Sequence, residues 1–153
     1  MAKHLGAKVY TTTSAKNSDY VKSLGADVVI DYTSADYESV IREQEPDGVD
    51  LVLEALLGNG TAEAAIRLTK DNGHVAYMNN EPPEMDEIAQ RNITAEFLHH
   101  RPDGDMLKDL LGLYQSDQIT LPRVHIRPLE EALDAHLQSE AGHTQGKVVL
   151  RIA

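Results

Sequence analysis

The chain predicts an α/β fold built on a doubly wound parallel sheet, and three observations carry that prediction. Short β-branched runs alternate with segments whose apolar residues recur at three- and four-residue steps, which is the signature of βαβ units. The stretch from Lys8 to Tyr32 reads as strand, polar turn, helix, strand, which is half of a nucleotide-binding sheet. A length of 153 residues suits one well-buried core and is too short for two ordinary domains.

Taken in order, strands are expected at Lys8–Thr13, Asp27–Ile30, Val49–Leu53, His74–Met78 and Ile93–His99. Helices are expected at Ser18–Leu24, Ala35–Glu43, Thr61–Leu68 and Gly104–Gln115. Ala62, Ala65, Ile66 and Leu68 mark the core face of one helix, and Met106, Leu107, Leu110, Leu111 and Leu113 that of another. Gly25 follows Leu24 where a helix end tolerates positive φ, and Gly73 is read the same way after a helix ending near Lys70. Pro46-Asp-Gly48 is a turn before a strand. The acidic, proline-bearing segment 81–92 reads as a surface loop with one helical turn. Beyond Gln115 come an extended segment at Ile119–Ile126, a helix at Pro128–Gln138 with proline in its first turn, and a closing strand at Gly146–Ile152. Leu129, Ala132, Leu133, His136 and Leu137 share a helical face, so His136 is read as a core-edge residue.

Several function classes are excluded by composition. Without cysteine there is no disulfide framework and no thiolate metal site. A net charge of −11 with no Lys/Arg cluster argues against nucleic acid or anionic membranes as partners. No run approaches the roughly 18 apolar residues of a membrane span, and no apolar region follows the first basic residues as in a signal peptide, so a cytoplasmic address is expected. Adjacent His99 and His100 point to opposite faces of a strand, no His-x-x-x-His spacing occurs, and no Gly-x-Ser-x-Gly elbow is present, so neither metal nor nucleophilic catalysis is expected.

The words Ser14-Ala-Lys-Asn-Ser-Asp-Tyr-Val-Lys-Ser-Leu-Gly-Ala-Asp27, Val29-Ile-Asp-Tyr32, Asp47-Gly-Val-Asp-Leu-Val-Leu53, Pro128-Leu-Glu-Glu-Ala132 and Gly142-His-Thr-Gln-Gly-Lys-Val-Val149 occur in one order along the chain. In that order they resemble the medium-chain dehydrogenase/reductase superfamily, and within it the zinc-free NADPH-dependent quinone oxidoreductases and alkenal reductases. The resemblance implies a Rossmann-like sheet in which Met1–Gly6 is the last turn of the helix after a glycine-rich loop. The first strand and that loop are then missing, and the chain reads as a truncated C-terminal half. Residues 1–118 would be the nucleotide-binding domain, and 119–153 the segment that returns to the catalytic domain.

The cofactor implied is NADPH. An NAD-type site places a carboxylate after its second strand to bond the ribose 2′-hydroxyl, and that carboxylate would repel a 2′-phosphate. Here Thr12, Thr13, Ser14 and Lys16 stand at that place, and hydroxyls with an ammonium suit a phosphate monoester. Many relatives carry their basic residue one position later, where this chain has Asn17. The alternative for this stretch is a polar turn in which Ser14 or Ser18 caps the next helix. The resemblance adds Tyr32 beside the adenosine, and Ala55, Leu56, Met78, Asn79, Phe97 and His99 near the ribose and nicotinamide; Met78 and Phe97 are equally readable as core.

The family implies hydride transfer to a quinone or an α,β-unsaturated carbonyl. No residue of the chain stands out as a proton donor, and the 153 residues alone are expected to be inactive. The competing reading is a non-catalytic remnant that binds nucleotide or associates with itself. A homodimer is expected, because loss of a central strand leaves the strands at Lys8–Thr13 and Val49–Leu53 each with an unpaired edge. The closing strand at Lys147–Ile152 is one candidate to fill that vacancy.

Overall fold

The structure, a computed structural model, describes residues 1–56, 58, 60–79, 81–142 and 144–152. Its elements run β1 (Tyr10–Thr13), a 3₁₀ turn (Ala15–Asn17), α1 (Ser18–Ser23), β2 (Val28–Asp31), α2 (Tyr37–Gln44) and β3 (Val49–Glu54). There follow α3 (Thr61–Leu68), β4 (Thr69–Tyr77), α4 (Asp86–Gln90), β5 (Thr94–Phe97) and α5 (Gly104–Gln115). The chain ends with β6 (Val124–Pro128), a 3₁₀ turn (Leu129–Glu131), α6 (Ala132–Glu140) and β7 (Lys147–Arg151). His143, within the Gly142–Val149 word, lies outside the described residues.

All strand pairs are parallel, as the alternating pattern requires: β1 with β2, β3 with β4, β4 with β5, and β6 with β7. The chain divides into two compact units, one of Met1–Asp31 with Gly104–Ala153 and the other of Tyr32–Asp103. In the second unit the sheet β3-β4-β5 carries the main core. Ala65, Ile66, Val75, Tyr77 and Ile93 are buried together, flanked by Val52, Ala62, Met85, Ile88, Ala95 and Phe97. Burying side chains of this size contributes about 1.5–3 kcal/mol each for the larger aliphatic and aromatic ones. The buried face of α3 is Ala64, Ala65, Ile66 and Leu68, close to the face its periodicity predicts.

In the first unit β1 and β2 pair in register, Thr12 with Ile30 and Thr13 with Asp31. The helix α1 between them has Leu24 at its C-cap and is followed by Gly25, whose φ of +104° is the left-handed conformation glycine adopts freely. Met1–Gly6 forms a helical turn closed by Leu5 N–H donating to Met1 and Ala2 carbonyls and Gly6 N–H to Lys3. Among the described residues β1 has no strand partner besides β2, and β3 none besides β4.

The structure departs from the sequence reading at several points. Gly73 is not a helix cap: α3 ends at Leu68, β4 begins at once, and Gly73 lies inside it after Asn72 at φ +61°. The β3–β4 register shifts between Val49 and Leu51, and a Cβ on Gly73 would stand 2.6 Å from Thr69 Cγ2. The glycine is there for close approach within an irregular strand. Pro128 both ends β6 and holds the N-cap position of the 3₁₀ turn Leu129–Glu131, which runs directly into α6. Ser14 holds the N-cap position of the 3₁₀ turn and Asn17 that of α1, neither with a side-chain capping bond, and Ser18 is the first residue of α1.

The closing strand β7 pairs with β6 and so does not extend the β1–β2 sheet. His136 is exposed, 3.6 Å from Glu140. Leu133 and Leu137 beside it are also exposed, Ala135 being the buried residue of α6. The apolar face of α5 likewise has no fully buried residue: Leu110 and Leu113 are half-buried, and Met106, Leu107 and Leu111 are exposed. Periodicity reports which face a helix can bury and does not say that a partner is present.

Candidate functional site

In an open parallel sheet, ligands meet the carboxyl ends of the strands. At the end of β1, Thr13 is buried, Thr12 exposed and Ser14 half-buried, with Lys16 exposed on the turn that follows. Ser14 is extended at φ −79°, ψ 153°, and Asn17 N–H donates to its carbonyl at 2.9 Å, which closes the turn. The Ser14 hydroxyl makes no capping bond, and among the described residues the Lys16 ammonium has no acceptor. The turn is fixed instead from the far end of the chain. Gln145 Nε2 donates to Asn17 Oδ1 at 2.8 Å and to Lys16 O at 3.4 Å. Arg123 Nη1 donates to Gln145 Oε1 at 3.1 Å, and its guanidinium lies 5.1 Å over the Tyr20 ring. Asn17 is thus engaged as a brace for the turn.

Tyr32 follows the last residue of β2 directly and is 55% exposed. The ends of β3, β4 and β5 lie level, Glu54 beside Tyr77 and Tyr77 beside Phe97. Ala55, Leu56, Met78, Asn79 and His99 therefore leave the sheet at one height. Asn79 Nδ2 donates to the Ala55 carbonyl, Met78 N–H to Glu54 O at 2.9 Å and Leu98 N–H to Tyr77 O at 2.8 Å. The His99 ring meets that of Phe97 edge-on, with centroids 5.1 Å apart. Leu56, Ala55, Asn79 and His99 are exposed and Met78 is half-buried. Phe97 packs against the core cluster, which matches its alternative reading.

Sequence reasoning missed Glu54, which is 5% exposed. Its Oε1 accepts from Leu56 N–H at 2.9 Å and from the Thr61 hydroxyl at 2.9 Å. Its Oε2 is buried with no partner among the described residues. Burial pushes the neighbouring Tyr77 phenol well above its ordinary range, and the negative charge of Glu54 adds to the shift. Tyr77 donates from that phenol to Ala62 O at 2.9 Å. The only sequence signal was an acid closing an apolar strand. Gln145 gave none, since its role depends on a partner 128 residues away.

Each unit by itself presents the carboxyl ends of parallel strands, where α/β sheets take their ligands: one unit carries hydroxyls and an ammonium at the end of β1, and the other a braced set of loops at the ends of β3, β4 and β5. The family model described as zinc-binding dehydrogenase matches residues 24–150, and the chain belongs to that family, the medium-chain dehydrogenase/reductases. It is 31% identical to the chloroplastic NADPH-dependent alkenal/one oxidoreductase of Arabidopsis thaliana, over 98% of this chain and 36% of the relative. It is 29% identical to the 2-methylene-furan-3-one reductase of Solanum lycopersicum, over 98% of this chain and 35% of that protein. The quinone oxidoreductase from Coxiella burnetii matches with a TM-score of 0.84 and 28% identity over 99% of this chain and 47% of that one. The chain spans about a third to a half of the length of these three proteins.

The family's name implies zinc, and the donor set does not fit it. The chain has no cysteine, and among the described residues no three His, Asp or Glu side chains are grouped to hold a metal ion. No helix of the described residues is long and apolar enough to cross a membrane.

Proposed function

We propose that the chain is the NADPH-binding part of an oxidoreductase that reduces a quinone or an α,β-unsaturated carbonyl. One observation carries the reading: residues 12–17, at the end of β1 and in the turn after it, hold hydroxyls and an ammonium with no acceptor among the described residues, and none of the six is a carboxylate. That set suits a 2′-phosphate and lacks the acid that would select a 2′-hydroxyl. The names of the alkenal/one and quinone oxidoreductase relatives supply the acceptor class.

In this reading Ser14 and Lys16, with Thr12 and Thr13, hold the phosphate, and Tyr32 borders the adenosine. Ala55, Leu56, Met78, Asn79, Phe97 and His99 border the ribose and nicotinamide. When bound, NADPH supplies hydride; the residues of this chain orient it and keep its reactive face toward the acceptor. No side chain of the chain is assigned a proton transfer. Residues 119–153 belong with a catalytic part, and the working assembly is a cytoplasmic homodimer. Light scattering coupled to gel filtration tests the dimer, which a compact monomer at all concentrations would exclude.

The reaction is tested by joining the 153 residues to the amino-terminal part of the Coxiella burnetii quinone oxidoreductase in place of its matching portion. Oxidation of NADPH is then followed with a quinone and with an enone. Turnover of about 1 s⁻¹ or more, the lower end of ordinary enzyme rates, is expected from the joined protein and not from the 153 residues by themselves. Nucleotide binding without hydride transfer to either acceptor would favour the non-catalytic remnant.

A further inference from the structure

We propose that Glu54 is a positioning residue of the nucleotide site, acting by pinning the peptide between Ala55 and Leu56. The inference rests on the reading of the chain as an NADPH-binding module.

Carboxylates are almost never fully buried without a paired charge. Glu54 is 5% exposed, and among the described residues its hydrogen-bond partners are neutral. An apolar residue would fill the place at less cost in desolvation, so the carboxylate is explained by what it holds. Its Oε1 takes Leu56 N–H and the Thr61 hydroxyl, each at 2.9 Å, and so ties the start of the β3–α3 connection to the first residue of α3.

The carbonyl of that same Ala55–Leu56 peptide accepts from Asn79 Nδ2. One peptide plane is thus held on both sides, by the acid that ends β3 and by an amide that follows β4. Tyr77 secures the next turn through Ala62 O at 2.9 Å. This is the strand end assigned above to the nicotinamide half of the ligand. A peptide fixed before binding costs no ordering when the ligand arrives. Among the described residues Oε2 has no partner, so an amide that keeps one carbonyl oxygen in place preserves the clamp.

The test uses the full chain and two ligands, NADPH and adenosine 2′,5′-bisphosphate, which carries the adenosine end alone. In calorimetric titrations, Glu54→Ala is expected to weaken NADPH at least tenfold and to leave the bisphosphate within twofold. Glu54→Gln is expected to restore NADPH to within threefold of the parent. Hydrogen exchange at the Leu56 amide should quicken at least tenfold in Glu54→Ala and stay unchanged in Glu54→Gln.

Should Glu54→Ala fail to fold, Thr61→Val removes one of the two donors and should show the same division between ligands at smaller amplitude. Equal weakening of both ligands, or unaltered NADPH affinity with Glu54→Ala, would overturn the proposal. A parent chain that binds the bisphosphate no better than adenosine 5′-monophosphate would overturn the cofactor reading instead, and the Leu56 exchange rate still decides whether the clamp exists.

Discussion

The side-chain amide of Gln145 donates to Asn17 Oδ1 at 2.8 Å, joining the turn before the last strand to the turn after the first. A hydroxyl-rich turn by itself is mobile and pays an ordering cost on binding. Here that cost is met in the fold, because Arg123 Nη1 orients the Gln145 amide through its oxygen.

Gln145→Ala is expected to remove about 1 kcal/mol of stability, the usual worth of a partly buried hydrogen bond, and to weaken 2′-phosphorylated ligands more than unphosphorylated ones. Urea unfolding and paired titrations with adenosine 2′,5′-bisphosphate and adenosine 5′-monophosphate check this. Equal effects on both ligands would show that the brace does not reach the phosphate site.

Much of this was legible from sequence, for identifiable reasons. The βαβ rhythm, the parallel pairing and the buried face at Ala65 and Ile66 follow from local periodicity, and each was readable residue by residue. Thr12 to Lys16 were visible as candidates because their chemistry is their own. Glu54 and Gln145 were not, because the importance of each lies in a partner: for Glu54 a helix start seven residues on, for Gln145 a turn 128 residues back. His136, Leu133 and Leu137 show the converse error. Their spacing allows a buried face, and burial needs a second surface that periodicity does not report.

Acid sensitivity should trace in part to Asp27. The Val9 N–H, donating at 2.7 Å, and then the Lys3 ammonium, 2.9 Å from both oxygens, hold its carboxyl below the usual range. A carboxyl with a depressed folded pKa stabilises the fold above its unfolded value of about 3.9, and that contribution is lost as pH falls through the folded value. Denaturant midpoints measured from pH 6 down to pH 2 should fall, and Asp27→Asn should flatten part of the fall. Asp36 and Asp50, lowered mainly by Ser39 and Lys70 respectively, account for further slope. An unchanged profile in Asp27→Asn would contradict the assignment.

Gly146 governs the β6–β7 pair. It sits at φ +95°, and a Cβ there would lie 2.1 Å from Arg123 O, the same carbonyl that accepts from Lys147 N–H at 2.8 Å. Gly146→Ala combines backbone strain with displacement of that first ladder bond, and about 2 kcal/mol or more of destabilisation is expected. Urea denaturation with no shift in midpoint would show that the turn relaxes freely.

The central claim is that the end of β1 selects a 2′-phosphate, and the most direct measurement is a calorimetric titration of the chain with NADPH and with NADH, repeated on Lys16→Ala. The account predicts tighter binding of NADPH. It also predicts that Lys16→Ala removes most of that preference, a loss of about 1.5–3 kcal/mol for one charge-assisted hydrogen bond, with the fold intact by denaturation. Equal affinity for the two nucleotides in the parent chain, or a full preference retained by Lys16→Ala, would contradict it.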